Sequence, residues 1–145
     1  MKRSSIFLTI FIISLLGFIG CATLNDYKAK TADEEEIKTT LVKYFEARNN
    51  YDIDGVLSYI HEDAKMMTGG LDRMVLSKKQ FSEYVPQGYW SRAPKLELKS
   101  PKMNVMGDEA TVRVPFMCMV SGQVFIMFME LVRENGKWYI MSNKY

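Results

Sequence analysis

Side chains that could carry out acid-base or metal chemistry are sparse in this chain of 145 residues. Four consecutive acidic residues, Asp33 to Glu36, are one candidate metal site. Consecutive carboxylates on a helix point in different directions, however, and negative charge in a first turn is already favoured by the helix dipole. The one histidine, His61, falls at a predicted helix-to-strand step, where a surface or helix-end role is expected. We therefore expect no metal ion and no cofactor.

Sulfur-containing side chains are the other candidates for chemistry, because the chain has eleven methionines and two cysteines. Met117, Met119, Met127 and Met129 fall in one predicted hairpin, and thioethers can bind Cu(I). Side chains alternate between the two faces of a strand, so these four divide between faces and do not converge on one ion. Flexible packing explains them better. Cys118 lies in the same hairpin and is interpreted as a buried, unreactive thiol.

The second cysteine, Cys21, ends an apolar segment that follows Lys2 and Arg3. Residues 6 to 20 are almost wholly apolar but fall short of the roughly 20 residues that span a bilayer. A basic start, a short apolar run and Gly20 before the cysteine resemble a bacterial lipoprotein signal. The resemblance implies cleavage before Cys21, acylation of its thiol and an extracytoplasmic domain anchored by lipid to the cell membrane or outer membrane. Ala22 after the cysteine favours the outer membrane where a cell has two.

Charge and length limit what the remaining chain can be. Nineteen basic residues oppose seventeen acidic ones, and two of the basic ones, Lys2 and Arg3, belong to the leader. A neutral domain has no basic field for nucleic acid, so we exclude that partner. The predicted organisation is a signal peptide at 1–20, a lipidated cysteine and tether at 21–32, and one domain at 33–145, a length that suits a single core.

Three helices are predicted before the strands. The first begins at Asp33 and is indicated by residues that recur every three or four positions, namely Ile37, Leu41, Tyr44, Phe45 and Arg48. Asp52 can cap a second, short helix. Ser77 and Gln80 have the spacing of a capping box, which predicts the start of a third helix that Pro86 and Gly88 end.

Strands are predicted from residue 64 to 68 and from 73 to 76, with a Gly69-Gly70 turn between them, and then almost continuously from Lys95. Asn135-Gly136 is a strong hairpin signal that places Glu134 opposite Lys137. A two-residue loop at Ser121-Gly122 would place Arg113 opposite Glu130 as a cross-strand ion pair.

The alternation along these strands predicts one wholly apolar face that the helices must cover. Leu96 and Leu98 are even-numbered, whereas Met103 and Val105 are odd-numbered, so the inward phase changes between them. A β-bulge at Ser100-Pro101 would produce that change and bend the sheet. The sequence therefore predicts a curved antiparallel sheet wrapped around about three N-terminal helices, with a hollow inside.

Two sets of residues are predicted to bind something. Residues placed in the hollow are Phe45, Tyr59, Tyr84, Phe116, Cys118, Met127, Met129 and Trp138. The opposite face of the sheet is too apolar to be exposed to solvent alone. Its candidates for contact with a second copy or another protein are Met117, Met119, Ile126, Phe128 and Tyr139.

The order of elements resembles the nuclear transport factor 2-like superfamily. Residues 41–47 followed by 52–57 are similar to its first two helices, residues 59–64 to the step into its first strand, and residues 131–140 to its last hairpin. The resemblance covers roughly residues 33 to 145. It implies an α+β fold, cystatin-like and cone-shaped, that hosts many unrelated functions.

Enzymes of that superfamily include isomerases, dehydratases and cyclases, which place a carboxylate or histidine inside the cone. In this chain the inward set supplies a thiol, methionines and aromatics, with hydroxyls available from Tyr44, Tyr59, Tyr84 or Tyr89. No group with a suitable pKa for proton transfer is evident. We therefore expect a lipid-anchored, non-enzymatic binding or assembly domain that takes a small apolar ligand or a protein partner. The alternative is an isomerase, dehydratase or cyclase acting on a small apolar substrate.

Overall fold

The structure is a computed structural model that describes residues 22–69, 73–85 and 90–145. The predicted signal peptide, Cys21, Gly70 of the predicted turn, and Pro86, Gly88 and Tyr89 lie outside these residues. The helices are α1 (Ala32–Asn49), α2 (Ile53–Leu57) and α3 (Lys78–Tyr84), with a short 3₁₀ turn at Trp90–Arg92. The strands are β1 (Ile60–Met67), β2 (Val75–Ser77), β3 (Leu96–Leu98), β4 (Lys102–Met106), β5 (Glu109–Cys118), β6 (Val124–Glu134) and β7 (Lys137–Lys144).

The three α-helices of the described residues begin where side chains can satisfy free backbone N–H groups. Thr31 accepts a hydrogen bond from the Glu34 N–H at the start of α1, one residue before the predicted start. Asp52 accepts from the Gly55 N–H in α2, as predicted. Ser77 and Gln80 form the predicted capping box of α3. The predicted helix starts are therefore confirmed to within one residue.

The seven strands form one sheet in the order β2-β1-β7-β6-β5-β3, with β4 also paired to β5. All neighbours are antiparallel except β1 and β7, which run parallel, so the sheet is mixed rather than purely antiparallel. β1 begins four residues before its predicted start and ends one residue before its predicted end. The α+β class, with a curved sheet over N-terminal helices, is confirmed.

The β5–β6 register differs from the prediction by two residues. Arg113 lies opposite Phe128, and Glu130 lies opposite Thr111, so the predicted Arg113–Glu130 pair is wrong. The loop spans four residues instead of two, because the Cys118 N–H donates to the Gln123 carbonyl at 2.9 Å. A shift of two leaves every side chain on its predicted face.

The β6–β7 turn and the predicted bulge are both confirmed. Glu134 lies opposite Lys137, and Asn135 and Gly136 have φ of 51° and 76°, as a type I′ turn requires. β3 and β4 pair with β5 in registers that differ by one residue, which is the predicted phase change near Ser100-Pro101. A second bulge follows Glu130 in β6.

The helices cover the predicted apolar face, and together they form the core. Ile37, Leu41, Tyr44 and Phe45 of α1 are buried. From the sheet, the buried residues include Val112, Val114, Phe116, Met127, Met129, Leu131, Trp138 and Ile140. Val120 and Phe125, predicted on the same face, are exposed because they lie at the open end of the β5–β6 hairpin.

Residues 22–27, within the predicted tether, lie against the domain. The Leu24 N–H donates to the Leu98 carbonyl at 3.0 Å, and the Ser100 N–H donates to the Ala22 carbonyl at 2.8 Å. Leu24 is 3% exposed and belongs to the core. These residues add an edge segment beside β3, so the expectation of a free tether is wrong for them. A single apolar residue in a polar stretch gave no periodic signal of this packing.

No helix among residues 22–69, 73–85 and 90–145 combines the length and hydropathy that a membrane span requires.

Candidate functional site

The residues predicted to line a hollow lie in different parts of the structure. Phe45, Met127, Met129 and Trp138 are between 1% and 4% exposed, so they are packed in the core rather than around an open hollow. Phe116 and Cys118 lie near the free end of β5, and Tyr84 is half-buried on α3. Tyr59 lines a surface groove. The structure therefore does not bring the predicted set together around one space.

The most unusual charged group in the described structure is Arg48, near the C-terminal end of α1. Its side chain is half-buried, and one guanidinium nitrogen donates to the Pro94 carbonyl at 2.6 Å and to Asn49 Oδ1 at 3.0 Å. Within the described parts of the chain it forms no ion pair with a carboxylate. A partly desolvated cation without a counter-ion is costly for a fold to hold.

The groups that act on Arg48 are phenols and a thiol. Burial lowers the pKa of the guanidinium, and the hydroxyl groups of Tyr145, Tyr44 and Tyr51 and the Cys118 thiol oppose that effect. Burial also raises the pKa of the Tyr44 and Tyr145 hydroxyls, so both stay protonated at neutral pH. We call the group of Tyr44, Arg48, Tyr51, Trp90, Phe116, Cys118 and Tyr145 the Arg48 cluster.

Aromatic contacts link members of the Arg48 cluster in two separate groups. Phe116 stacks on Phe125 at 5.6 Å between centroids and meets Tyr145 edge-on at 5.9 Å. Tyr51 and Trp90 form a second edge-on pair at 6.3 Å. Tyr145 is 41% exposed as a residue, but its hydroxyl lies 3.3 Å from the buried amide of Asn143, so the hydroxyl end points inward.

Asn49 fixes α1 to the segment before β3. Its side-chain amide donates to the Leu96 carbonyl at 2.8 Å and accepts from the Leu96 N–H at 3.0 Å. The Tyr51 hydroxyl donates to the Ala93 carbonyl at 3.0 Å. These bonds hold residues 93–96 beside Arg48, so the carbonyl that receives the guanidinium is positioned by its neighbours.

Cys118 has different surroundings from those predicted. Hydrogen bonds from the Ser121 side chain and backbone lower the pKa of the Cys118 thiol, and Arg48 adds a smaller effect in the same direction. The sequence offered no cation near Cys118, because Arg48 is distant along the chain. The thiol is half-buried rather than buried as predicted.

His61 lies at the surface end of β1, far along the fold from the Arg48 cluster. Its Nε2 lies 3.0 Å from Glu134 Oε2, and its ring meets Tyr139 at 6.0 Å. Glu134 therefore pairs with His61 rather than with the side chain of Lys137, which donates to the Ser58 carbonyl at 3.1 Å. These contacts fit the predicted surface role of His61.

The outer sheet face carries the residues predicted to contact a second copy. Met119, Ile126 and Phe128 are exposed, whereas Met117 and Tyr139 are half-buried. A depression of about 350 Å³ opens on this face. Its polar lining comprises Lys102, Asn104, Thr111, Arg113, Glu130, Ser142 and Lys144.

A second surface groove, of about 320 Å³, lies between α1 and the β6–β7 hairpin. Trp138 lines it, and the indole Nε1 is buried without a hydrogen-bond partner in the described residues. The Arg133 guanidinium lies 5.3 Å from the centre of the Trp138 ring. The remaining lining includes Glu35 and Glu36 together with Lys43 and Lys137, so the charges of the groove balance internally.

Within the residues that the structure covers, no group of three or more His, Cys, Asp or Glu side chains could hold a metal ion. The buried polar side chains of the same residues are Thr40, Thr68, Ser142 and Asn143. Glu34 accepts hydrogen bonds from the Tyr27 hydroxyl and the Lys30 N–H, and Asp33 accepts one from Arg133. These two members of the acidic cluster therefore have structural roles within the domain.

Comparison with solved structures places the fold among nuclear transport factor 2-like proteins. A protein from Streptomyces avermitilis described as a "putative dehydratase" of that family has a TM-score of 0.63 at 16% identity, covering 77% of this chain and 92% of its own. A cystatin-like protein of unknown function from Nostoc punctiforme gives 0.60 at 16% identity, covering 78% and 90%. A nuclear transport factor 2-like protein from Shewanella baltica gives 0.57 at 19%, covering 80% and 94%. At these identities the likeness concerns the fold alone.

A family model assigns the chain to a particular family of proteins. The model described as "Putative lumazine-binding" matches residues 32–145, which is most of the chain, and the chain belongs to that family. A search of curated proteins found no match. The resemblance to the nuclear transport factor 2-like fold, drawn above from residues 41–64 and 131–140, is thereby confirmed.

Proposed function

We propose that this protein is a lipid-anchored, extracytoplasmic binding domain that holds a small, flat, anionic molecule at the Arg48 cluster. The observation that carries the proposal is Arg48 itself, a half-buried guanidinium that forms no ion pair with a carboxylate in the described residues. One of its nitrogens is occupied by Pro94 and Asn49, so the remaining donors are available to an anion. An anion would offset the cost of desolvating the cation.

The rings beside Arg48 support a flat ligand. Tyr51, Phe125 and Tyr145 are 38%, 46% and 41% exposed, so their faces can still be covered. Aromatic rings stack with an offset or edge-on geometry, and an arginine presents a planar fork to a carboxylate or an ionised heterocycle. Lumazine, named in the description of the family, is a flat bicyclic heteroaromatic whose two carbonyl groups can accept hydrogen bonds from a guanidinium.

Binding is tested with lumazine and with 2-naphthoate, using neutral 2-naphthamide to isolate the charge. We expect Arg48→Gln to weaken binding of the anion at least about tenfold, as loss of a charge-assisted hydrogen bond predicts. Binding of 2-naphthamide should change little. Arg113→Gln, an arginine on the outer sheet face, is the matched control. Equal binding of naphthoate by the parent and the Arg48 variant, measured by calorimetry, contradicts the proposal.

The lipid anchor is the second part of the proposal, supported by the apolar segment before Cys21. A single short apolar run would bind reversibly, whereas two or three acyl chains hold a protein firmly, at about 0.8 kcal/mol for each buried methylene. Cys21→Ser should therefore lose stable partition into detergent, and Cys118→Ser should retain it. Intact-mass measurement of protein from a bacterial host supplies the direct test. An unmodified Cys21 in that mass spectrum rules out the anchor.

The alternative of an isomerase, dehydratase or cyclase stays a prediction. Apart from the Tyr44 hydroxyl and the Trp138 indole, the buried polar groups of the described residues are two hydroxyls of threonine, one of serine and one amide, none of which is a ready proton carrier. Tyr44, beside Arg48, is the hydroxyl that such an enzyme could use for orientation. Turnover of a small carbonyl substrate that Tyr44→Phe reduces would favour the enzyme.

A further inference from the structure

Cations are arranged in one row on the outer sheet face. Lys102 lies directly opposite Arg113, Arg113 opposite Phe128, and Phe128 opposite Lys144. We call Lys102, Arg113 and Lys144 the outer cation row. Like charges directly opposite one another in an antiparallel sheet are destabilising, so the Lys102–Arg113 pair works against the fold in isolation.

The ion pairs of the described residues reach only one member of the row, Lys144. Glu130, in the adjacent row, accepts from the Ser142 hydroxyl at 2.5 Å and lies 3.9 Å from Lys144 Nζ. Glu97, the other carboxylate on this side of β3, is paired with Lys99 at 2.6 Å. Lys102 and Arg113 form no ion pair within the described chain, and both line the depression of about 350 Å³.

Exposed apolar side chains continue from the row to the end of the β5–β6 hairpin. Phe128 is 52% exposed, and the whole set, which we call the outer patch, is Met119, Val124, Ile126 and Phe128. Cations beside exposed aliphatic and aromatic groups match an anionic lipid surface, where the charges meet headgroups and the apolar side chains enter the interface.

The chain enters the domain at this end of the sheet. The Ala22 carbonyl accepts from the Ser100 N–H, and Ser100 precedes Lys102 by roughly 7 Å of strand. Whatever precedes Ala22 is therefore joined to the sheet edge that carries the first cation of the row. A second copy centred on this face would bring two cation rows together, which argues for an anionic occupant instead.

We infer that the outer cation row and the outer patch dock on an anionic membrane surface and hold the domain with this sheet face toward the bilayer. A single lipid anchor binds more firmly when a basic patch adds a second contact, so the two attachments reinforce one another. The orientation does not depend on the ligand at the Arg48 cluster.

A tryptophan reporter tests the orientation. The full chain carrying Phe128→Trp is reconstituted into vesicles of phosphatidylcholine alone or with one-third phosphatidylglycerol, with brominated acyl chains as quencher. We expect at least about twofold stronger quenching in the anionic vesicles. Lys102→Gln with Arg113→Gln should remove most of that difference, whereas Arg48→Gln, the matched control, should leave it unchanged.

Two results would overturn the inference. One is equal quenching in neutral and anionic vesicles. The other is absence of quenching in both, together with a dimer in sedimentation that Phe128→Asp dissociates, which would mean that a second copy covers the face. Attachment through the lipid anchor is tested separately, by comparing flotation of the parent and the Cys21→Ser variant with vesicles. If Cys21 carries no lipid, parent and Cys21→Ser float alike, while the dependence of the Phe128→Trp signal on lipid charge still decides the orientation.

Discussion

The Arg48 cluster and the outer cation row both present an arginine that lacks a carboxylate partner in the described structure, but their surroundings are opposite. Arg48 is held by the Pro94 carbonyl and Asn49 among phenols, whereas Arg113 lies opposite Lys102 on an open sheet face. Attraction between charges grows as water is excluded. The first setting therefore suits one small anion in a fixed pose, and the second suits a diffuse, strongly hydrated anionic surface.

The largest expected contrast between the two regions is in stability. Phe116 is 6% exposed and joins the Arg48 cluster to the core, so Phe116→Ala should cost about 3–5 kcal/mol of unfolding free energy. Phe128→Ala removes the same side chain from the outer patch and should cost less than about 1 kcal/mol. Urea unfolding measures both. Similar losses would mean that Phe128 is covered by something in solution.

A smaller stability effect is expected at Asn49. Asn49→Ala removes both hydrogen bonds to Leu96 and leaves two half-buried backbone groups unpaired, at a cost of about 2 kcal/mol. It should also weaken ligand binding, because the Pro94 carbonyl loses its support. Asn104→Ala, on the exposed side of β4, is the control and should change stability by less than about 0.5 kcal/mol. An unchanged unfolding midpoint for Asn49→Ala refutes the positioning role.

Salt should separate the two kinds of electrostatic contact. Raising sodium chloride from 50 to 500 mM shortens the screening length, which weakens exposed charges more than partly buried ones. We expect the vesicle contact of the outer cation row to fall roughly tenfold and naphthoate binding at Arg48 to fall less than about threefold. Equal salt dependence, measured by lipid quenching and calorimetry, would remove the distinction between the two sites.

The smallest expected effect concerns the N-terminal segment at alkaline pH. Burial and the hydrogen bond to Glu34 raise the pKa of the Tyr27 hydroxyl to about 12. Its contribution to stability is therefore complete below about pH 10, the pKa of an unfolded tyrosine, and is lost as the pH rises through about 12. Tyr27→Phe should reduce the loss of stability between pH 9 and pH 11.5, measured by unfolding, and the remainder belongs to the buried Tyr44 and Tyr145. A loss of equal size in the variant assigns it to another group.

Short-range signals accounted for much of the fold. The Ser77 capping box, the Asp52 cap and the Asn135-Gly136 turn involve residues within four positions of one another, and each was predicted correctly. The β5–β6 register was predicted two residues away from its true value, because a four-residue loop and a two-residue loop satisfy the same alternation of side chains. Faces were therefore predictable and exact partners were not.

The candidate site could not be predicted in the same way. Arg48 appeared only as one of five residues with helical spacing, since the groups that define its role come from Pro94, Cys118 and Tyr145. Leu24 was equally hidden, because its partner Leu98 is far away in the chain. The side chains of Met127 and Trp138 are packed in the core, where a hollow was predicted. The alternation of side chains along a strand indicates which face is buried, but it does not indicate whether the buried space is filled.

The edge segment from Ala22 to Leu24 has a mechanical consequence. Force applied to the chain before Ala22 is transmitted first to the Ser100 N–H bond and then to the packed side chain of Leu24. These contacts would open in that order, and the bond from Leu24 to Leu98 would pass part of the load to β3. The edge segment would therefore detach before the pairing of β3 with β5 is broken.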